Sequence, residues 1–142
     1  MKQKIITINA TYINAVKLLQ NKGYLVKESL PFNEGRYYFI KTDGGNFMVV
    51  FKREFFMSFG TIFKDKGESG VGETLNQSDL KDAILCNAVG IIFTYPDEKI
   101  YSISVSDFIR YSHKRMNIFE GKETRSINIK HLVRENAGQT TL

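Results

Sequence analysis

Three charged residues, Lys52-Arg53-Glu54, close the apolar run Phe47-Met48-Val49-Val50-Phe51. Side chains alternate across a strand, so a strand over 46–53 sets Lys52 and Glu54 on one face and Arg53 on the other. Strand ends of this kind are where α/β sheets tend to place sites. The same charges equally suit a strand that leaves the core for solvent. A second set of chemistry-bearing residues lies near the end of the chain. Arg110, Lys114 and Arg115 fall on neighbouring turns of a helix expected after Ser106, opposite Phe108 and Met116, and Lys122, Arg125, Lys130 and Arg134 follow. Such residues neutralise phosphates and release counterions, which makes the set a candidate nucleic-acid footprint, with Lys41 and Arg53 extending it from the first half. The plain alternative is an amphipathic helix with a cationic outer face.

Other patterns exclude chemistry. Gly67-Glu68-Ser69-Gly70-Val71-Gly72 lacks the closing Gly-Lys-Ser/Thr of a phosphate loop, and Val71 breaks the nucleophile-elbow spacing around Ser69. His113 and His131 are the two histidines, and neither has zinc-ligand spacing to Cys86 or to the other. A lone cysteine rules out an intramolecular disulfide, and Cys86 in an apolar helical stretch reads as a buried thiol.

Charge distribution points the same way as the cationic set. The net charge is +5, from 20 Lys/Arg and 15 Asp/Glu. Residues 1–60 hold nine Lys/Arg against four Asp/Glu, residues 61–98 three against seven, and residues 99–142 eight against four. Basic ends around an acidic middle suggest a segregated basic face that attracts a polyanion, or an ordinary solvated surface. A chain of 142 residues fits one α/β domain over 1–136, with a polar tail over 137–142. Met1-Lys2-Gln3-Lys4 opens no secretory signal, and no stretch approaches the ~20 apolar residues of a membrane helix, so the cytoplasm is the expected location and no membrane partner is expected.

The elements that must position these residues follow from periodicity. Lys4–Ile8 reads as a short strand. Tyr12, Ala15, Val16 and Leu19 make a helical stripe over 12–22, capped by Thr11 and ended by Gly23. Strands are expected over 24–29, 36–42 and 46–53, with a loop from Leu30 to Gly35 and a turn at Asp43-Gly44-Gly45. The run at 47–51 is apolar on both faces, the mark of a central strand. Phe55, Phe56, Phe59, Ile62 and Phe63 fit a helix or an irregular segment, and the glycines at 67–72 a loop. Then come a helix over 78–88 capped by Ser78, with Leu80, Ala83 and Ile84 buried, and a strand over 90–95. A strand over 99–105, a helix over 107–116 capped by Ser106, a strand over 124–129 and a short helix over 130–135 complete the chain.

The order helix 12–22, strands 24–29, 36–42 and 47–53, helix 78–88, strand 90–95 resembles the αβββαβ core of the PD-(D/E)xK nucleases, which include restriction endonucleases and archaeal Holliday-junction resolvases. Ala15-Val16-Lys17-Leu18-Leu19-Gln20-Asn21-Lys22-Gly23-Tyr24-Leu25-Val26 is similar to that family's first helix and strand. The resemblance covers residues 11–95 and implies a mixed sheet flanked by helices, here with a C-terminal β-α-β extension. It also implies a Mg²⁺-dependent endonuclease acting on nucleic acid, DNA rather than RNA. In that family an acid begins the second strand, and a carboxylate-x-Lys lies on the third; the acids hold Mg²⁺ and the lysine positions the nucleophile. Lys52 matches the lysine. Val50 stands where the carboxylate belongs, and Arg36 and Tyr37 stand near the first acid, with Glu34 the nearest carboxylate. Glu54, Glu68, Glu73 and Asp82 are then the candidates to complete the site, the first three as metal ligands. On this reading Lys52→Ala abolishes Mg²⁺-dependent cleavage and leaves the fold intact. The alternative from another class is a non-catalytic interaction module that buries the Phe55–Phe63 aromatics against a partner or a second copy, as in a homodimer.

Overall fold

The computed structural model describes residues 2–32, 37–52, 56–57, 71–96, 99–117 and 121–135, with backbone alone at 2–11, 29–32, 56–57, 71, 115 and 117. Helix α1 (Lys2–Asn21) is followed by three strands, β1 (Val26–Phe32), β2 (Tyr37–Thr42) and β3 (Gly45–Phe51), then by β4 (Phe56–Met57) and β5 (Val71–Asn76). Helix α2 (Gln77–Leu85), strands β6 (Ala88–Thr94) and β7 (Ile100–Ser104), and helix α3 (Val105–Tyr111) come next. Strands β8 (His113–Asn117) and β9 (Lys122–Asn128), a 3-10 turn (Ile129–His131) and β10 (Val133–Glu135) complete the described chain.

The larger sheet has the order β1-β2-β3-β6-β7-β10. Its first three strands form an antiparallel meander, β6 runs parallel to β3, and β7 and β10 return antiparallel. A smaller sheet has the order β4-β5-β9-β8. Period-two alternation sends alternate residues to two cores. Tyr37, Phe39, Met48, Val50, Ile91 and Phe93 face α2, α3 and the smaller sheet. Tyr38, Ile40, Val49 and Ile92 face α1 through Ala15, Leu18 and Leu19. The mixed α/β architecture and the central sheet flanked by helices are therefore as expected. β3 is the covered central strand that its apolar run implies, with Met48, Val49 and Val50 all buried.

Several boundaries differ. Lys4–Ile8 is helical, because Ile5, Ile8, Tyr12, Ala15 and Leu19 continue one three-four spacing, and that shared stripe overrides the β-branched preference; Thr11 is thus inside α1 and not its cap. β1 continues through Pro31 to Phe32, where a loop is expected; β1 is an edge strand, so the missing proline N–H interrupts no inner ladder. Gly23 does take the left-handed conformation (φ 93°) that ends the helix. Val71 and Gly72 belong to β5 rather than to a loop. Asn76, not Ser78, precedes α2, and Ile84 is exposed. Cys86 caps the end of α2 and is half-buried.

The largest difference is at 105–117. Ser104, not Ser106, caps α3, its Oγ accepting from the Asp107 amide at 3.1 Å. The helix ends at Tyr111, and His113–Asn117 pairs antiparallel with Lys122–Ser126 around Gly121 (φ 65°). Pairing gives β9 a second neighbour, a non-local gain that the helical spacing of Phe108 and Met116 cannot reveal. Likewise 130–135 is not a helix. A single 3-10 turn, capped by Asn128 Oδ1 on the Lys130 amide at 3.0 Å, leads into β10. Glu34, Arg53, Glu54, Glu68 and the 137–142 tail lie outside the described residues, as do the Phe55–Phe63 aromatics apart from the backbone of Phe56.

Candidate functional site

Lys52 leaves β3 where two layers meet. Its amide donates to Thr94 O at 2.9 Å, extending the β3–β6 ladder by one residue. Its side chain lies on the Val50 side of the strand and so turns towards the smaller sheet. There Nζ donates to Thr74 O at 2.8 Å and sits 3.4 Å from Glu73 Oε1. The Glu73 carboxylate is 3% exposed and the Lys52 side chain 23%. Glu73 Oε1 also accepts from the Thr74 amide at 3.0 Å, and Oε2 accepts from Tyr95 Oη at 2.7 Å. Each carboxylate oxygen therefore has a donor, as a buried charge requires.

This arrangement corrects the expectation that Lys52 contributes little to the fold. Lys52 is the counter-ion of a buried glutamate and ties β3 to β5. One carboxylate, Glu73, lies beside it, where the resemblance calls for at least two. The two places where that resemblance expects metal-binding acids are a different matter. Tyr37 and Val50 are register partners across β2 and β3, and both are buried in the core. Tyr37 Oη donates to Asp82 Oδ2, which engages that acid with α2's packing rather than with Lys52. Among the described residues no group of three His, Cys, Asp or Glu is placed to hold a metal ion.

The cationic set divides in three. Lys41 pairs with Glu28 at 3.2 Å across the β1–β2 ladder. It lies four strand spacings from β10, about 19 Å at ~4.8 Å each. It does not join the others. Arg125 points inward: Nε donates to Ser112 Oγ at 2.8 Å and Nη2 to Ile109 O at 3.1 Å, so the guanidinium satisfies the end of α3. Arg110, Lys114, Lys122 and Lys130 are exposed on α3, β8, β9 and the 3-10 turn. Arg115 is on β8 opposite Thr124. These cations sit on a helix end, a β-ribbon and a turn, not on one helical face, and on the ribbon Lys114 and Lys122 take opposite faces.

Two aromatic residues belong to this surface and escape a reading based on charge alone. The Tyr111 ring stacks on His131, centroids 4.3 Å apart and planes 9° from parallel. The Arg110 guanidinium lies 5.2 Å from the Tyr111 centroid. The adjacent Arg110-Tyr111 pair is visible in the sequence; His131, weighed as a zinc ligand, comes to it through the 3-10 turn. On the opposite face of the large sheet, burial raises the Tyr38 hydroxyl above its ordinary pKa, with Tyr12 adding to the shift. No family model, curated protein or solved structure matches the chain. Among the described residues no helix is long and apolar enough to cross a membrane.

Proposed function

We propose that this chain is a nucleic-acid-binding protein, with DNA as its partner, and that its nuclease-like core supports binding rather than hydrolysis. The observation that carries the reading is the exposure of Arg110, Lys114, Lys122 and Lys130 on consecutive C-terminal elements, with Arg125 fixing α3 against β9. The order α1, β1–β3, α2, β6, interrupted by β4 and β5, supports the nuclease-like resemblance. The tyrosine and valine at its acid positions favour binding over cleavage.

Four phosphate contacts give a log–log salt slope of about −3.6 on duplex DNA, hence a loss of roughly 100-fold between 50 and 200 mM salt. Fluorescence anisotropy with labelled duplex and branched DNA measures it, and no affinity at low salt refutes the proposal. Nicking assays with Mg²⁺ or Mn²⁺ decide on hydrolysis. Cleavage by the wild type that Lys52→Ala abolishes, with the variant still folded, restores the endonuclease reading.

A second reading, a protein-interaction module, is favoured by a groove of about 490 Å³ beside α1. Gly90, Ile92 and Ser102 form its floor, with Leu19, Phe47 and Val133 at its sides. Val89 and Val133 stay 46% and 56% exposed there. Light scattering over a concentration series tests self-association, and a monomer throughout removes the homodimer.

A further inference from the structure

Resting on the nucleic-acid reading, we propose that the Arg110–Tyr111–His131 stack is a seat for an unpaired base, so that the preferred partner is a single strand or a duplex with an unpaired segment. Aromatic stacks usually close a core. This one is at the surface: Tyr111 is 36% exposed, and its neighbour Ile109 is 40% exposed. Arg110 and Lys130, from the two elements that bring the rings together, are exposed as well. His131 stacks on the Tyr111 ring and the exposed Arg110 guanidinium lies over it, so the guanidinium extends the stack and offers a base a cationic stacking partner and its phosphates a counter-charge, the combination that grips single strands without reading sequence. A base inside a duplex is already stacked on both faces and cannot use it.

The seat is also held in place before binding. Arg125 fixes the last turn of α3 through Ser112 Oγ and Ile109 O. The turn carrying His131 is capped by Asn128 and closed by the Leu132 amide on Ile129 O at 3.0 Å. Little ordering is left to oppose binding.

The test compares a labelled oligothymidylate with its duplex on oligoadenylate, by anisotropy at fixed low salt. The wild type is expected to bind the single strand more tightly. Loss of one stacked base costs about 5- to 150-fold. Tyr111→Ala and Tyr111→Leu are each expected to weaken single-strand binding by at least about fivefold, with duplex affinity within about twofold and Tyr111→Phe close to wild type. Circular dichroism checks folding; should Tyr111→Ala fail to fold, Tyr111→Leu, which keeps the volume, decides. Unchanged single-strand affinity in the leucine variant, or equal losses on both polymers, overturns the seat and leaves the basic face standing. Absence of wild-type binding to either polymer overturns the basic face and the seat with it.

Discussion

Replacing Lys52 with methionine keeps most of the stem's volume and removes the charge, leaving the buried Glu73 carboxylate with Tyr95 Oη and the Thr74 amide but no counter-ion among the described residues. Removing one member of a buried ion pair costs about 3–5 kcal/mol. Because the Lys52 side chain is 23% exposed and the Glu73 side chain 3%, water can partly replace the ammonium, and the lower end applies, about 3 kcal/mol. Glu73→Gln is milder, about 1–2 kcal/mol, since an amide oxygen can still accept from Tyr95 and the lysine can turn to water. Made together, the changes remove both charges, and the double variant is expected about 2 kcal/mol better than the sum of the singles. Urea unfolding followed by circular dichroism yields all three values, and thermal melts should show Lys52→Met lowered by roughly 6–12 °C. A loss under about 0.5 kcal/mol for Lys52→Met, or strict additivity, would refute the buried-pair account. Lys52 would then be as dispensable to the fold as a strand-end lysine.

Two further perturbations separate structural from binding roles. Tyr38 Oη is buried with no hydrogen-bond partner among the described residues, so Tyr38→Phe should be neutral or stabilising by up to about 1 kcal/mol at neutral pH. Its raised pKa means that the unfolded chain loses the proton first. Stability is therefore fully present below the ordinary tyrosine value of about 10 and falls as pH rises above it, less steeply in Tyr38→Phe; unfolding free energies measured across that range check this, and equal slopes would count against it. Arg125→Lys cannot hold Ser112 Oγ and Ile109 O at once, so it should lose about 1–2 kcal/mol of stability with DNA affinity within about twofold. Weaker binding at unchanged stability would instead put Arg125 on a phosphate.

What the sequence discloses follows the reach of each signal. β2, β3 and β6 are legible because a short run of apolar, aromatic and β-branched residues is a local signal, and so is the glycine that ends α1 at Gly23. The first turns of α1 are misread because Ile5, Ile6 and Ile8 favour strand locally, while the spacing that Ile5 and Ile8 share with Tyr12 and Leu19 runs over about four turns. At 105–117 the competing signals are closer still: Ser104 and Ser106 are both competent caps, and only the partner strand around Gly121 decides where the helix must stop. Lys52 shows the same limit in chemistry. A lysine two residues beyond Val50, with glutamates nearby in sequence, is compatible with a nucleophile-positioning group and with a counter-ion. What distinguishes them is the other end of the carboxylate. Both oxygens of Glu73 are occupied from within, one by the adjacent Thr74 amide and the other by Tyr95, whose approach depends on how the two sheets pack. Exposed cations behave differently: Arg110, Lys114, Lys122 and Lys130 stay exposed even though the element that carries Lys114 changes from helix to strand. Exposed cations are therefore more legible from sequence than the Lys52 cluster, because a surface tolerates an error in secondary structure and a buried polar site does not.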